Sequence, residues 1–191
     1  MAKAEYRSAI RSRRLINDAL ADLLLEKPLE KITVTDIVNR AQINRGTFYA
    51  HYKDVPDVVN HLVQNTFSSI AGALSEQSLP LADIPRTLLK QVQKILEEDL
   101  DFFRKIMTSG AAAVMQDQLV SIVMDYMLDH RDAFYYGSPE HYEVMIRFCS
   151  GGLSKLYRDW FEGKIPCSLN ELTDTAENLI RQVAQSVLSS S

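Results

Sequence analysis

The segment Ile32–Lys53, with the sequence ITVTDIVNRAQINRGTFYAHYK, contains the signals of two short helices joined by a tight turn. Thr33 and Asp36 have the spacing of an N-terminal capping box, so a helix is predicted to begin between them. Ala41 begins the turn, and Asn44 at its end is the predicted N-cap of the second helix. The segment therefore predicts a helix-turn-helix.

The second helix of this segment has an apolar side and a polar side. Phe48 and Tyr52 are four residues apart and are predicted to be buried together. The opposite side carries groups that suit a nucleic-acid surface, namely those of Arg45, Thr47, Tyr49 and His51. A short helix can also be polar on one side simply because it faces water. Gly46 favours the nucleic-acid interpretation, because glycine costs a helix about 1 kcal/mol relative to alanine and suits close approach to a partner.

These residues resemble the DNA-binding domain of the TetR family of bacterial regulators over about residues 8–60. The resemblance rests on Thr33-Val34-Thr35-Asp36-Ile37 and on Ala41-x-Ile43-Asn44-Arg45-Gly46-Thr47-Phe48-Tyr49-x-His51-Tyr52. It implies a homodimer that binds a palindromic operator in double-stranded DNA. The DNA-binding residues that it implies are Thr33, Thr35, Asn44, Arg45, Gly46, Thr47, Tyr49, His51 and Lys53.

The resemblance gives each of these residues a role. Arg45 and Thr47 would read bases, and an arginine on a guanine edge contributes ~1–3 kcal/mol of discrimination. Tyr49, His51 and Lys53 would bind phosphates and fix the register. Thr33 and Thr35 would lie near the DNA backbone and a base edge, with Asn44 beside a phosphate.

The sequence departs from the family pattern at three positions. Gln42 occupies a turn position where glycine is usual, and a positive φ there would cost about 1 kcal/mol. Val55 replaces a common phosphate-binding lysine, a contact that Lys53 either takes over or leaves unmade. Asn44 replaces the usual serine and is an equally good cap.

The fold class is predicted to be all-α, with two domains. Residues 1–54 form the helix-turn-helix domain, and residues 55–191 form a helical ligand-binding and dimerisation domain whose first helix, 55–76, is the connector. The second domain resembles in layout that of Firmicutes-type TetR members. Its large and soft side chains are candidates for a pocket that binds a small apolar or aromatic ligand: Phe102, Phe103, Met107, Met115, Met124, Tyr126, Phe148 and Trp160. Ordinary core packing is the alternative explanation for them.

The last two predicted helices carry a broad apolar surface that would pair with its copy in a two-fold four-helix bundle. The candidate interface residues are Gly151, Leu153, Leu156, Tyr157, Leu172, Ala176, Leu179, Ile180 and Val183. A regulator of this kind is predicted to be a repressor that a ligand releases from DNA. The alternative is a co-activator of the same fold that is controlled by a partner protein.

The charge distribution favours a DNA-binding N-terminal region despite the net charge of −4. Residues 1–60 hold 10 Lys and Arg against 8 Asp and Glu, whereas the rest of the chain holds 11 against 17. Five of these cations lie at the start of this N-terminal region and suit phosphate contacts: Lys3, Arg7, Arg11, Arg13 and Arg14. A solvated helix start is the alternative.

Other functional classes lack their signals in the sequence. The four histidines have no ligand-spaced partners, and no nucleophile elbow or phosphate loop is present, so neither an enzyme, a metal site nor a cofactor is predicted. Cys149 and Cys167 are expected to be reduced thiols, with a disulfide or redox switch as the alternative. No secretory signal or membrane span is predicted, and the expected location is the cytoplasm.

Overall fold

Nine α-helices make up most of what the computed structural model describes, which is residues 2–75, 83–130 and 138–189. No strand occurs within these three ranges, so the predicted all-α class is confirmed. A short 3-10 helix, Leu29–Lys31, follows the first helix. The α-helices are α1 (Ala2–Glu26), α2 (Val34–Arg40), α3 (Arg45–Tyr49), α4 (Val55–Ser75), α5 (Ile84–Glu98), α6 (Leu100–Thr108), α7 (Ala112–Asp129), α8 (Pro139–Phe161) and α9 (Leu169–Ser189).

The chain divides into two compact units. The first comprises Met1–Val63 and Leu100–Met115, and the second comprises Gln64–Asp99 and Gln116–Ser191. Helix α4 contributes to both units. The first unit thus extends past the predicted boundary at residue 54 and includes α6 from much later in the sequence, while the division into two functional domains stays a prediction.

The core of the first unit forms where α1, α2 and α3 pack together. Ile16, Leu20, Ile37 and Phe48 are completely buried there. Tyr52 is also buried, with its ring centre 6.0 Å from that of Phe48. Ile32 is buried in the same core, and Leu29, Val34 and Ile43 pack against it. The predicted apolar side of the helix-turn-helix is therefore the observed one.

Helix α6 packs against α1 in the same unit. Its Ile106 joins the first core, and the Lys105 ammonium lies 2.7 Å from a carboxylate oxygen of Asp22 on α1. Asp22 also lies 3.9 Å from the guanidinium of Arg40, at the end of α2. This carboxylate of α1 thereby contacts both the next α-helix, α2, and α6 from much later in the sequence.

The second unit has its own core, formed by α4, α5, α7 and α8. Tyr142 is completely buried, its hydroxyl donates to the backbone oxygen of Met127 at 3.2 Å, and burial raises its pKa to about 12. Helices α5 and α9 are joined by an ion pair in which Lys90 Nζ lies 2.8 Å from Asp174. None of the described helices has the length and apolar character needed to cross a membrane.

The turn between α2 and α3 places Gln42 in the left-handed region, with a φ of 53°. Among the described residues other than glycine, it is the one recorded with a positive φ. A side chain in this region is strained, because its Cβ approaches the following carbonyl oxygen. The family pattern has glycine at this position, and a positive φ was expected to strain any other residue there. The observed φ of Gln42 is positive, so the geometry agrees with this expectation.

We expect Gln42→Gly to raise the free energy of unfolding by about 0.5–1 kcal/mol, because relief of left-handed strain exceeds the entropic cost of glycine. Urea unfolding at neutral pH measures this difference. Gln42→Ala keeps the Cβ and is the matched control, for which no gain is expected. A loss of stability in the glycine variant would contradict the assignment of strain to this residue.

Candidate nucleic-acid interface

The start of α2 is fixed by a complete capping box. Thr33 Oγ1 accepts from the backbone nitrogen of Asp36 at 3.2 Å, and the Asp36 carboxylate accepts from the backbone nitrogen of Thr33 at 2.8 Å. Lys27 Nζ lies 2.7 Å from the same carboxylate. The hydrogen bonds from Lys27 and Thr33 lower the pKa of Asp36 to about 2. The predicted cap is confirmed, with Lys27 as an added partner.

The start of α3 is fixed by Asn44. Its side-chain oxygen accepts from the backbone nitrogen of Thr47 at 2.7 Å and from the Thr47 hydroxyl at 3.1 Å. A Cβ added to Gly46 would lie 3.2 Å from that oxygen. Crowding by the Asn44 side chain therefore explains why glycine suits position 46 even without DNA. The sequence suggests a second explanation, which is the close approach of DNA.

The outer side of α3 begins with Arg45, whose Nη2 donates to the hydroxyl of Thr35 on α2 at 2.6 Å. Both side chains are exposed. Tyr49, one helical turn along, is 55% exposed, and its ring packs perpendicular to that of Phe48. Thr47 is half-buried. The structure thus brings Thr35, Arg45 and Tyr49 to one surface of the helix-turn-helix.

His51 and Lys53 follow α3. Burial lowers the pKa of His51, and the charge of Arg13 on α1 lowers it further. At neutral pH the ring is therefore a neutral hydrogen-bonding group rather than a cation. Lys53 has an exposed side chain, while its backbone nitrogen donates to the Asp57 carboxylate at 2.8 Å. Val55 is buried in the first core, so it cannot contact phosphate.

The eight predicted pocket residues are divided between the two units. Phe102 and Met115 pack against the first core, and Tyr126 packs against the second. Phe103 and Met107 belong to the first unit, whereas Met124 and Trp160 belong to the second. Phe148 is 69% exposed, so the expectation that it lines a cavity inside the protomer is wrong; α8 turns this side chain outward. For the other seven residues the pocket stays a prediction.

The predicted dimer interface also divides, into buried and exposed residues. Tyr157, Leu172 and Ala176 are buried within the protomer, because α8 and α9 pack on each other. These three side chains leave almost no surface for a second chain. The remaining candidates are more accessible: Leu179 is 53% exposed, Gly151 is exposed, and Leu153, Leu156, Ile180 and Val183 are half-buried.

The sequence-based assignment missed Val144, which is 66% exposed on α8. Val144, Phe148 and Gly151 are spaced i, i+4 and i+7, so they lie on one side of the helix. A Cβ added to Gly151 or Gly152 would meet no atom within 4 Å. The helical spacing could have indicated this stripe, which we call the outer stripe of α8 (Val144, Phe148 and Gly151).

Comparison with known proteins supports a regulator fold. The solved structure of the fatty acid degradation regulator FadR from Bacillus halodurans is similar with a TM-score of 0.63 and 13% identity, over 89% of this chain and 94% of that one. A TetR transcriptional regulator from Rhodococcus sp. RHA1 reaches a TM-score of 0.48 at 16% identity, over 93% and 96% of the two chains. The fold of this chain is similar to that of the FadR structure, and at the level of the fold the resemblance in the sequence is confirmed.

Sequence comparison gives a shorter match. The uncharacterized HTH-type transcriptional regulator YxbF of Bacillus subtilis (strain 168) is 32% identical over 75 residues, which is 39% of this chain. The match spans only 20% of the length of that protein. No family model matches the chain. Within the described residues, no group of three or more side chains has the geometry to hold a metal ion.

We expect the Lys27–Asp36 contact to stabilise the protein above about pH 4 and to lose this effect as the pH falls towards 2. The reason is that the pKa of Asp36 is lowered in the folded state, so the unfolded chain takes up the proton first. Urea unfolding of the wild type and of Asp36→Asn between pH 6 and pH 2 measures the difference, which should shrink with acidification.

Lys27→Met is the companion variant for this experiment. It removes the first cause of the lowered pKa of Asp36. In the Lys27→Met background, the difference in free energy of unfolding between the Asp36 protein and its Asp36→Asn variant should therefore be smaller. It should also vanish at a higher pH than in the wild-type background. A difference that does not depend on pH in either background would contradict this account.

Proposed function

We propose that the protein is a TetR-type, sequence-specific DNA-binding regulator of transcription. The observation that carries the proposal is the surface formed by Thr35, Arg45 and Tyr49, which stand exposed above a helix-turn-helix whose opposite side is buried. A short helix that exposes an arginine at its start suits the major groove, where arginine reads guanine through two acceptors.

The charges around this surface support the proposal. Within the described residues Arg45 forms no ion pair, whereas Lys27, Arg40 and Lys105 of the same unit each contact a carboxylate. Arg45 therefore keeps its charge for an external partner. Lys53, with its exposed side chain, would add a phosphate contact that contributes affinity without reading the sequence.

The same proposal includes a two-fold homodimer that reads two half-sites of a palindromic operator. The outer stripe of α8 supports it, because large apolar side chains exposed on one side of a helix commonly mark an interaction surface. Leu179 adds an exposed apolar side chain on α9. A protein partner other than a second copy would correspond to the alternative function of a co-activator.

The proposed regulator acts in the cytoplasm as a repressor, and a small apolar or aromatic ligand would release it. Such a ligand can shift the equilibrium only by its difference in affinity for the DNA-bound and free states. The likeness to FadR spans both units of this chain, which supports a second unit that has more than a structural role.

We expect Arg45→Ala/Thr47→Ala to abolish specific DNA binding while the protein stays folded. The double change removes the two proposed base readers and leaves the buried side of the helix-turn-helix intact. Selection from a randomised duplex library, followed by fluorescence anisotropy on the enriched sequence, measures the loss. It should be at least about thirtyfold, because two base contacts of ~1–3 kcal/mol each are removed.

Arg86→Ala/Thr175→Ala is the matched control, because it removes an exposed arginine and an exposed threonine from the second unit. It should bind the enriched sequence like the wild type. If the wild type enriches no sequence, or if both double variants bind equally well, the proposed function is wrong.

The dimer has a separate test in Val144→Glu. A carboxylate buried between two copies of α8 would be strongly unfavourable, so sedimentation should show a monomer. Val114→Glu is the matched control, since Val114 is 49% exposed but lies in the first unit. The wild type and the control should both sediment as dimers. A stable dimer of Val144→Glu would exclude α8 as the interface, and dissociation of the control would show that the loss of the dimer is not specific to α8.

A further inference from the structure

The contact between Arg45 and Thr35 joins the two helices of the helix-turn-helix on their exposed side. Arg45 Nη2 donates to Thr35 Oγ1 at 2.6 Å, and the two residues are ten positions apart in the sequence. A long arginine side chain on a surface ordinarily samples many rotamers. This one is held at its tip by a residue of the preceding helix.

The residue that holds it is itself rigidly placed. Thr35 lies in the first turn of α2, directly between Thr33 and Asp36, whose reciprocal hydrogen bonds close the capping box. Lys27, which directly follows α1, contacts the Asp36 carboxylate. Threonine is branched at Cβ, which restricts its own rotation. The backbone that carries the Thr35 hydroxyl is therefore fixed, and in the observed rotamer the hydroxyl accepts from the guanidinium.

The backbone of Arg45 is fixed from the other end. It is the first residue of α3, and the Asn44 cap holds that end of the helix. Both the root and the tip of the side chain are thus anchored by groups of the helix-turn-helix. No carboxylate in the described part of the chain pairs with the guanidinium, in contrast to Arg40, which lies 2.7 Å from Glu26.

The chemistry of the guanidinium allows it to serve two partners at once. It has five N–H donors and no acceptor, and the bond to Thr35 uses one of these donors. Two parallel donors are enough to contact the O6 and N7 acceptors of guanine. Four remain, so the contact with Thr35 leaves the means of reading a base in place.

We propose that Thr35 is a positioning residue, which sets the preference for guanine at one base pair of each half-site by holding Arg45 in its reading orientation. This inference rests on the proposed DNA-binding function. It differs from the role that the family resemblance implies for Thr35, which is a contact with the DNA itself. Thr35 acts through Arg45 and need not touch the DNA.

The proposal predicts different base preferences for two substitutions of Thr35. Thr35→Val keeps the shape of the side chain but removes the acceptor, so it should relax the base preference at the position that Arg45 reads. The expected loss of discrimination is about three- to tenfold, the range that follows from freeing one long side chain. Thr35→Ser keeps the hydroxyl and should restore the preference.

The experiment selects binding sequences from a randomised double-stranded DNA library with the full-length wild type and with each variant. It then compares the base preferences position by position. Arg45→Ala identifies the position that the arginine reads. Thr108→Val is the matched control, because it removes an exposed hydroxyl whose bond is to Arg104 within α6. Thermal unfolding shows that each variant is folded, and Thr35→Ala replaces Thr35→Val if the valine variant is not.

The double variant Thr35→Val/Arg45→Ala separates the indirect role from a direct one. If Thr35 acts only through Arg45, the double variant should have the same base preferences and affinity as Arg45→Ala alone. An additional loss in the double variant, a change at a different base pair, or an unchanged preference in Thr35→Val would each overturn the proposal while leaving the DNA-binding function intact. A wild type that enriches no sequence would overturn both.

Discussion

The burial of Phe48 decides how the candidate DNA-binding surface is presented. Helix α3 has only five residues, far below the 12–15 or so that an isolated helix needs to be even marginally stable in water. Its conformation must therefore come from outside the helix. Phe48 has no exposed surface, and full burial of such a side chain contributes about 1.5–3 kcal/mol. With this side chain fixed inward, the rotation of α3 about its axis is set, and in this orientation Arg45 and Tyr49 are exposed.

In the first unit, several basic side chains are paired with carboxylates, whereas Arg45 forms no ion pair among the described residues. Asp22 contacts Lys105 and Arg40, Glu26 contacts Arg40, and Asp36 contacts Lys27. The first three of these pairs join α1 to α2 and α6. Exposed pairs of this kind contribute little stability, typically about 0–1 kcal/mol each. Their larger effect is to neutralise cations away from α3, so that Arg45 and Lys53 carry the charge on the DNA-facing side that we propose.

Signals between neighbours in the sequence predicted most of the helix-turn-helix. The caps that join Thr33 to Asp36 and Asn44 to Thr47 each connect residues three positions apart. Such short spacings can be recognised in the sequence alone. The positive φ of Gln42 agrees with the expectation drawn from the family resemblance, in which glycine is usual at this turn position. These local constraints explain why α2 and α3 begin where the sequence indicates.

Contacts between residues that are distant in the sequence could not be predicted in the same way. Lys105 contacts Asp22 across 83 positions, and this contact accompanies the packing of α6 on α1. The sequence assigned Phe102 and Met115 to a pocket in the second domain, whereas both pack against the first core. Periodicity indicates that a helix has an apolar side, but it contains no information about which other helix covers that side.

Helix α8 is a second case in which the sequence does not show which apolar side is covered, since it has apolar residues on more than one side. Tyr157 is covered by the protomer itself, while Val144 and Phe148 remain exposed. From the sequence alone these positions look equivalent, and the interface was assigned partly to residues that α9 already covers. Exposure separates the two sets: the buried one stabilises the protomer, and the exposed one costs free energy in water unless another surface covers it. A second copy of α8 would bring two such stripes together, with the open space at Gly151 allowing close approach of the helices.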